Sequence, residues 1–136
     1  MSGSARLTSS IWVDAYRRRV EQAGGYVTIR KRGSGEAGAI FLLISDADNL
    51  SRLYGPAPQS LYGEGATSRR FSLMSGDRLD GLQVQTMLDK QMRFDPDLWV
   101  VDVDDREGRH FLLEEEIEPT ETHPKADPST DDPWSR

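Results

Sequence analysis

Four side chains that could bind a divalent cation or perform acid–base chemistry cluster in the carboxyl-terminal half of the chain. They are Asp102, Asp104, Asp105 and His110. Carboxylates bind divalent cations, and a carboxylate beside a histidine can transfer protons. Asp102, Asp104 and His110 are therefore candidate metal ligands of a metal-assisted hydrolase. The alternative is that alternating aspartates form the solvated face of a strand, where their charge protects an edge from aggregation.

A second group of side chains could bind nucleic acid or another anion. Its basic members are Arg30, Lys31, Arg32, Arg52, Arg69 and Arg70. With Tyr26, Tyr54 and Phe71 on nearby predicted strands, they could combine phosphate contacts with base stacking on a sheet surface. The alternative is that the charges face solvent and the aromatic rings lie in the core. No known nucleic-acid-binding signature accompanies them.

A glycine-rich segment, Gly33-Ser-Gly-Glu-Ala-Gly38, matches the dinucleotide-binding string G-x-G-x-x-G. That motif requires the glycines to open a helix whose amino terminus meets the pyrophosphate. Here the glycines lead into the apolar run 39–44, which predicts a strand. A hairpin turn is therefore the favoured interpretation, and a glycine-lined anion pocket after Arg30–Arg32 remains the alternative. No cofactor is predicted.

Composition excludes several classes of site. The chain of 136 residues has no cysteine, so disulfides, thiolate metal sites and cysteine nucleophiles are absent. The formal net charge of -6 divides into +4 over residues 1–75 and -10 over residues 76–136. This split indicates either a basic face for an anionic partner or two halves that complement each other when packed. No apolar stretch is long enough to span a bilayer and no secretory signal is present, so a cytoplasmic location without membrane association is predicted.

Hydrophobic periodicity predicts an α+β domain. A first helix follows the potential caps Thr8, Ser9 and Ser10 and ends near Gly24. A second begins at Asp80, or with Asp77 as the alternative cap, and runs to the Asp95-Pro96 stop. Strands are predicted over 26–32, 39–44, 50–54, 69–74, 98–105 and 109–115. The unbroken apolar run 39–44 indicates a central strand covered on both faces. The expected fold is two helices on a mainly antiparallel sheet of five or six strands, in the order α-β-β-β-β-α-β-β.

The last two predicted strands form the best hairpin in the sequence. With Gly108 left-handed in a three-residue loop, Val103 would oppose Phe111 and Asp104 would oppose His110. The whole predicted core comprises Trp12, Tyr16, Val20, Val27, Ile29, Ile40, Phe41, Leu42, Leu43, Leu88, Trp99, Val101, Val103, Phe111 and Leu113.

The predicted domain spans residues 9–116, after a flexible segment 1–8. Residues 117–136 carry four of the seven prolines, with acidic side chains and few apolar ones. Such a segment buries too little surface to offset its ordering entropy, so a disordered acidic tail is predicted.

Several sequence strings resemble a known family. They include Leu53-Tyr-Gly-Pro-Ala-Pro58, Arg93-Phe-Asp-Pro-Asp-Leu-Trp-Val-Val-Asp-Val-Asp-Asp105 and Gly108-Arg-His-Phe-Leu112. Over roughly residues 6 to 113 the chain resembles a small bacterial family, found mainly in alphaproteobacteria, that is catalogued as a domain of unknown function. The resemblance implies a cytoplasmic single-domain bacterial protein and brings no catalytic residues.

No catalytic constellation stands out, so a non-catalytic module is predicted whose partner is another protein or a second copy of the chain. An exposed edge strand near Tyr54 or His110 is the expected docking surface. The alternatives are a nucleic-acid-binding protein that uses the basic amino-terminal half and a metal-assisted hydrolase at the aspartate–histidine hairpin.

Overall fold

The computed structural model describes residues 7–58 and 69–118. Its elements, in chain order, are α1 (Ser9–Gln22), β1 (Tyr26–Lys31), β2 (Ile40–Ser45), β3 (Ser51–Pro56), β4 (Phe71–Leu73), α2 (Gly81–Phe94), β5 (Trp99–Asp104) and a short 3-10 helix (Glu114–Glu116). The predicted order of elements is therefore confirmed as far as β5. None of the described helices is long and apolar enough to cross a membrane.

Both helices begin at the residues that their sequences indicate. The Thr8 side chain accepts a hydrogen bond from the Ile11 amide, and Asp80 forms a reciprocal capping box with Gln83. These caps satisfy amide groups that a helix leaves without partners at its amino terminus. Asp95, which precedes Pro96, is the carboxyl-terminal cap of α2.

The five strands form one mixed, mainly antiparallel sheet in the order β1-β5-β2-β3-β4. Strand β5 pairs antiparallel with β1 and parallel with β2, while the β2–β3 and β3–β4 pairs are antiparallel. Strand β2 is the middle strand, and five of its six residues are buried. Its prediction as a central strand is confirmed.

The core lies on both faces of the sheet. On one, here called the α1 face, Trp12, Tyr16 and Val20 pack against alternate residues of the strands, including Trp99 and Val101. On the other, the α2 face, Val84 and Leu88 pack against Phe41, Leu43, Leu53, Leu98 and Val100. Successive side chains of a strand point to opposite faces of the sheet, so each strand contributes to both core clusters. Because both faces of β2 are covered, all of its side chains can be apolar.

The predicted hairpin after β5 is wrong. Gly108 is left-handed as expected, with φ of 72°, but Phe111 is also left-handed, with φ of 61°, and residues 109–113 form no strand. Leu113, which was among the predicted core residues, is 44% exposed. Its neighbour Leu112, which was not, is buried. Val27, Ile29 and Phe111 are partly buried and pack against the core, and the other predicted members are buried.

Two residues beyond the predicted domain boundary pack on the sheet. Ile117 forms a bridge with Phe71 and packs against the α1-face core, and the Glu118 amide donates to the Phe71 carbonyl at 2.8 Å. The predicted boundary at 117 leaves both residues outside the domain. The remainder of the predicted tail, residues 119–136, lies outside the described residues, as does most of the predicted flexible segment 1–8.

Removal of residues 119–136 is expected to leave the melting temperature unchanged, because the described core is complete without them. Removal of residues 117–136 is expected to lower it, because the Ile117 contact and the Glu118 hydrogen bond are lost. Differential scanning calorimetry of the two truncated chains makes the comparison. Equal melting temperatures for the two would show that Ile117 contributes nothing to stability.

Candidate functional site

Asp102 lies on β5, with its side chain on the α2 face of the sheet. Its neighbours Val101 and Val103 face α1, so alternation directs Asp102 and Asp104 to the opposite side. Both Asp102 oxygens accept from Arg30 Nε, at 3.1 and 3.0 Å. Burial raises the pKa of the Asp102 carboxyl above its ordinary value, although Arg30 opposes this shift. The structure thus makes Asp102 one half of an ion pair between strands.

His110 lies on the other side of the sheet. Its ring meets the Tyr54 ring edge-on at 5.5 Å, its Nδ1 accepts from the Leu112 amide at 2.9 Å, and its carbonyl accepts from the Tyr16 hydroxyl. The sheet therefore separates His110 from Asp102 and Asp104. Within residues 7–58 and 69–118, no group of three or more acidic, histidine or cysteine side chains could hold a metal ion. The geometry that the hydrolase hypothesis requires is absent from this region.

The structure places the six candidate basic residues toward opposite edges of the sheet. Arg30, Lys31 and Arg32 belong to the β1 edge, whereas Arg69 and Arg70 lead into β4 at the other edge, and Arg52 lies on β3.

Most of these basic side chains bind groups of the same chain. Lys31 Nζ donates to the Pro96 and Leu98 carbonyls at 2.6 and 3.1 Å, and the Arg32 guanidinium lies 5.1 Å from the centre of the Trp99 ring. Arg69 donates to the Leu7 carbonyl and Arg70 to the Glu115 carbonyl. The basic residues therefore stabilise the fold at separate places and form no single basic surface.

The glycine-rich segment 33–38 is a crossover connection. It is not the predicted hairpin turn, because β5 lies between β1 and β2. The Gly35 and Glu36 carbonyls accept from the Ser10 and Ser9 amides, so the loop directs its own carbonyls at the amino terminus of α1. A carbonyl-lined loop repels an anion. This arrangement gives no support to an anion pocket here.

A buried carboxylate that the sequence did not indicate joins α1 to the end of the domain. Glu116 is only 6% exposed. It accepts hydrogen bonds from Arg19 at 2.8 Å, from Trp12 Nε1 at 3.2 Å and from the Leu113 amide at 2.9 Å. Arg19 and Glu116 are 97 residues apart in sequence, so no local pattern could have revealed the pair.

A cleft of about 300 Å³ opens where the parallel strands β2 and β5 end. Its lining residues are Gly24, Tyr26, Ser45, Asp46, Ala47, Asp104, Asp105, Arg106, Glu107 and Arg109. Two of its carboxylates have arginine partners: Asp46 accepts from Arg78 at 2.8 Å and Asp105 from Arg109 at 2.7 Å. Because the lining has four carboxylates and two arginines, and Asp104 is exposed, the cleft carries a net negative charge.

Asp105 is expected to make stability depend on pH. Hydrogen bonds from the Arg109 side chain, at 2.7 and 3.0 Å, hold its pKa below the usual range. Because the folded pKa is lower than the unfolded value of about 3.9, this stabilisation is complete above that value and is lost as the pH falls through the folded pKa.

The Asp105→Asn variant is expected to lose about 2 kcal/mol of unfolding free energy at pH 7. It should also lose less stability than the native chain on acidification, because the carboxylate that titrates has been removed. Urea unfolding at pH 7 and pH 3 checks both expectations. A parallel decline of the two proteins would show that Asp105 carries no acid-dependent stabilisation.

Strand β1 offers the open edge of the sheet. Among residues 7–58 and 69–118 it pairs with β5 on one side only, whereas the opposite edge strand, β4, is bridged by Ile117. The predicted docking edge near Tyr54 or His110 is wrong, because Tyr54 lies on the interior strand β3 and His110 lies on no strand. A register shift between Ile29 and Lys31 interrupts the β1–β5 ladder, so the regular part of this edge starts at Tyr26 and extends to Ile29.

Tyr26 is the most prominent side chain on this edge. It is 74% exposed, lies opposite Asp104 in the β1–β5 register and lines the cleft. An exposed aromatic residue beside unpaired backbone groups is typical of a surface that accepts an extended segment. Together, β1 and the cleft form the candidate interaction site.

Known proteins provide a family match and related structures. The family described as protein of unknown function (DUF1491) matches residues 7–113. The crystal structure of a DUF1491 family protein from Caulobacter crescentus is 31% identical, with a TM-score of 0.68, over 83% of this chain and 98% of that chain. The solution structure of a protein from A. tumefaciens is 39% identical, with a TM-score of 0.66, over 74% and 86%. No significant match is found among curated proteins.

Proposed function

This chain belongs to the DUF1491 family of proteins of unknown function, and on that premise we propose that it is a non-catalytic protein-interaction module whose open edge strand β1 binds an extended segment. The open edge of β1 is the observation that carries this proposal. An edge strand presents a row of backbone donors and acceptors that another strand can pair with.

The side chains of β1 suit this function. Tyr26, Thr28 and Arg30 are exposed on one face of the strand, and Val27 and Ile29 are half-buried on the other. An added strand would therefore find polar and aromatic contacts on the α2 face. It would also find an apolar strip that continues the core on the α1 face. Backbone pairing supplies affinity in such complexes, and the alternating side chains supply specificity.

Chemistry at this surface has weaker support. Asp102 is bound to Arg30, Asp105 to Arg109 and Asp46 to Arg78, so three carboxylates near the cleft are engaged in ion pairs. Such pairs position strands and loops. In a complex, the cleft would be a charged pocket beside the strand that pairs with β1.

The test is affinity co-purification of the tagged full chain from a native lysate, with nuclease, beside the Thr28→Lys variant. Thr28 is exposed, so a lysine there leaves the core intact while its charge disfavours strand addition. Thr86→Lys on the exposed side of α2 is the matched control. Proteins retained by the native chain and by the control, but lost from Thr28→Lys, would support the proposal. Retention by all three chains, or loss of everything after nuclease, would contradict it.

A further inference from the structure

The residue pattern of β1 is complementary to itself. Resting on the function proposed above, we infer that the strand bound by β1 is β1 of a second copy of this chain. The two strands pair antiparallel about a two-fold axis at Thr28. In an antiparallel pair, opposed residues lie on the same face, so a two-fold axis perpendicular to the sheet must place one residue opposite itself. The axis position then fixes every other contact.

With Thr28 on the axis, side chains of matching chemistry meet on both faces. Val27 lies opposite the partner's Ile29, and both are half-buried apolar side chains of the α1 face. On the other face Tyr26 lies near the partner's Arg30, at the register shift that ends the regular part of the strand. Within each copy, Arg30 stays paired with Asp102 of β5 through contacts of 3.1 and 3.0 Å.

The neighbouring registers lack this complementarity. An axis at Val27 places the apolar Ile29 opposite Gly25, which has no side chain to cover it. An axis at Ile29 places the charged Lys31 opposite Val27. Cross-strand pairs of like character stabilise a sheet, and mismatched pairs do not. Thr28 is therefore the favoured axis.

Charge complementarity extends beyond the paired residues. In the Thr28 register the exposed Arg32, which follows β1 in one copy, approaches the turn at Gly24 that precedes β1 in the other copy. Gly24 lines the acidic cleft, together with Asp104 and Glu107. The basic end of each β1 thus meets the acidic cleft of the other copy, and the two-fold axis makes this contact twice. The opposite charges of the two halves of the chain would then stabilise the dimer.

A second copy of β1 is a better candidate for the added strand than residues 119–136 of the same chain, because of the proline content of that segment. Prolines at 119, 124, 128 and 133 leave runs of at most four residues between them. Proline lacks the amide that a ladder requires, so this segment cannot pair along the whole length of β1.

Sedimentation equilibrium of the full chain tests the self-association. A dimer is expected, and Thr28→Lys should weaken it by roughly 10- to 100-fold, because two lysines then oppose each other on the axis. Thr86→Lys should leave the dimer intact, and calorimetry verifies that both variants stay folded. A native chain that is monomeric up to millimolar concentration would overturn the inference, as would a dimer that Thr28→Lys does not weaken.

Cysteine cross-linking tests the register, and the absence of native cysteine makes it clean. Thr28→Cys should cross-link to itself with a short bismaleimide, and Thr86→Cys should not. Val27→Cys and Ile29→Cys should cross-link preferentially to each other when the two variants are mixed. Equal cross-linking of Thr28→Cys and Thr86→Cys would overturn the inference.

The two proposals fail in different ways. A monomeric chain that still loses its co-purified proteins through Thr28→Lys would overturn self-pairing and leave the β1 docking function supported. Failure of both experiments would remove β1 as an interaction site.

Discussion

Replacing Trp99 with alanine is expected to lower the free energy of unfolding by about 3–5 kcal/mol. Trp99 is 1% exposed at the start of β5, and its Nε1 donates to the Ser34 carbonyl at 2.8 Å. The substitution removes the packing of the ring and one of the two donors to that carbonyl, which keeps the Gly38 amide at 3.2 Å. It also removes the surface over which the Arg32 guanidinium lies. Urea unfolding monitored by circular dichroism measures the loss.

The control for this variant is Phe94→Ala. Phe94 is 78% exposed at the end of α2, so its removal should change stability by no more than about 0.5 kcal/mol. Equal effects of the two substitutions would show that β5 does not direct Trp99 into the core.

The Arg19→Met variant is expected to lose about 3–5 kcal/mol, because it leaves the Glu116 carboxylate buried without its positive partner. Arg19 Nη1 lies 2.8 Å from Glu116 Oε1 and also donates to the Phe111 carbonyl at 2.8 Å. One side chain thus fastens the carboxyl-terminal end of the domain to α1. The loss should appear as a lower midpoint in urea.

Arg17→Met on the same helix is the matched control. Arg17 pairs with Glu21 at 3.3 Å, and about half of each side chain is exposed, so its loss should cost no more than about 0.5 kcal/mol. The double variant Arg19→Met with Glu116→Gln should be more stable than Arg19→Met alone, because the unpaired charge is gone. If the double variant is no more stable, the cost comes from lost packing of the Arg19 side chain.

Local signals in the sequence predicted the elements well. The capping residues Thr8 and Asp80 begin their helices as expected, since a cap acts on amides within three residues. The run 39–44 correctly indicated a strand buried on both faces, because alternation brings every side chain to one cluster or the other.

Local sequence patterns could not predict which strands that are distant in sequence pair with each other. The run 98–105, the glycine turn and the run 109–115 are all consistent with a hairpin, yet β5 inserts between β1 and β2. Each strand buries more apolar surface there than a two-stranded hairpin could. The chain after Gly108 is instead held by Arg109 on Asp105 and by the Leu112 amide on His110 Nδ1.

The candidate site was only partly visible for the same reason. Tyr26 and Arg30–Arg32 were identified as surface residues with potential function, but their place on an open edge depends on strand order. Asp102 and His110 are close in sequence, and the sheet separates them. Glu116 was placed at the end of the domain, and its burial depends on Arg19 from the first helix.

Hydrogen–deuterium exchange can show whether β1 is the interaction surface. Backbone exchange would be measured residue by residue in the isolated full chain at low concentration and in its purified complex, the homodimer included. If β1 pairs with an added strand, exchange in the complex should slow at alternate amides of Tyr26–Lys31 and stay unchanged at Phe71–Leu73. Unchanged exchange along β1, with protection elsewhere on the domain, would contradict it.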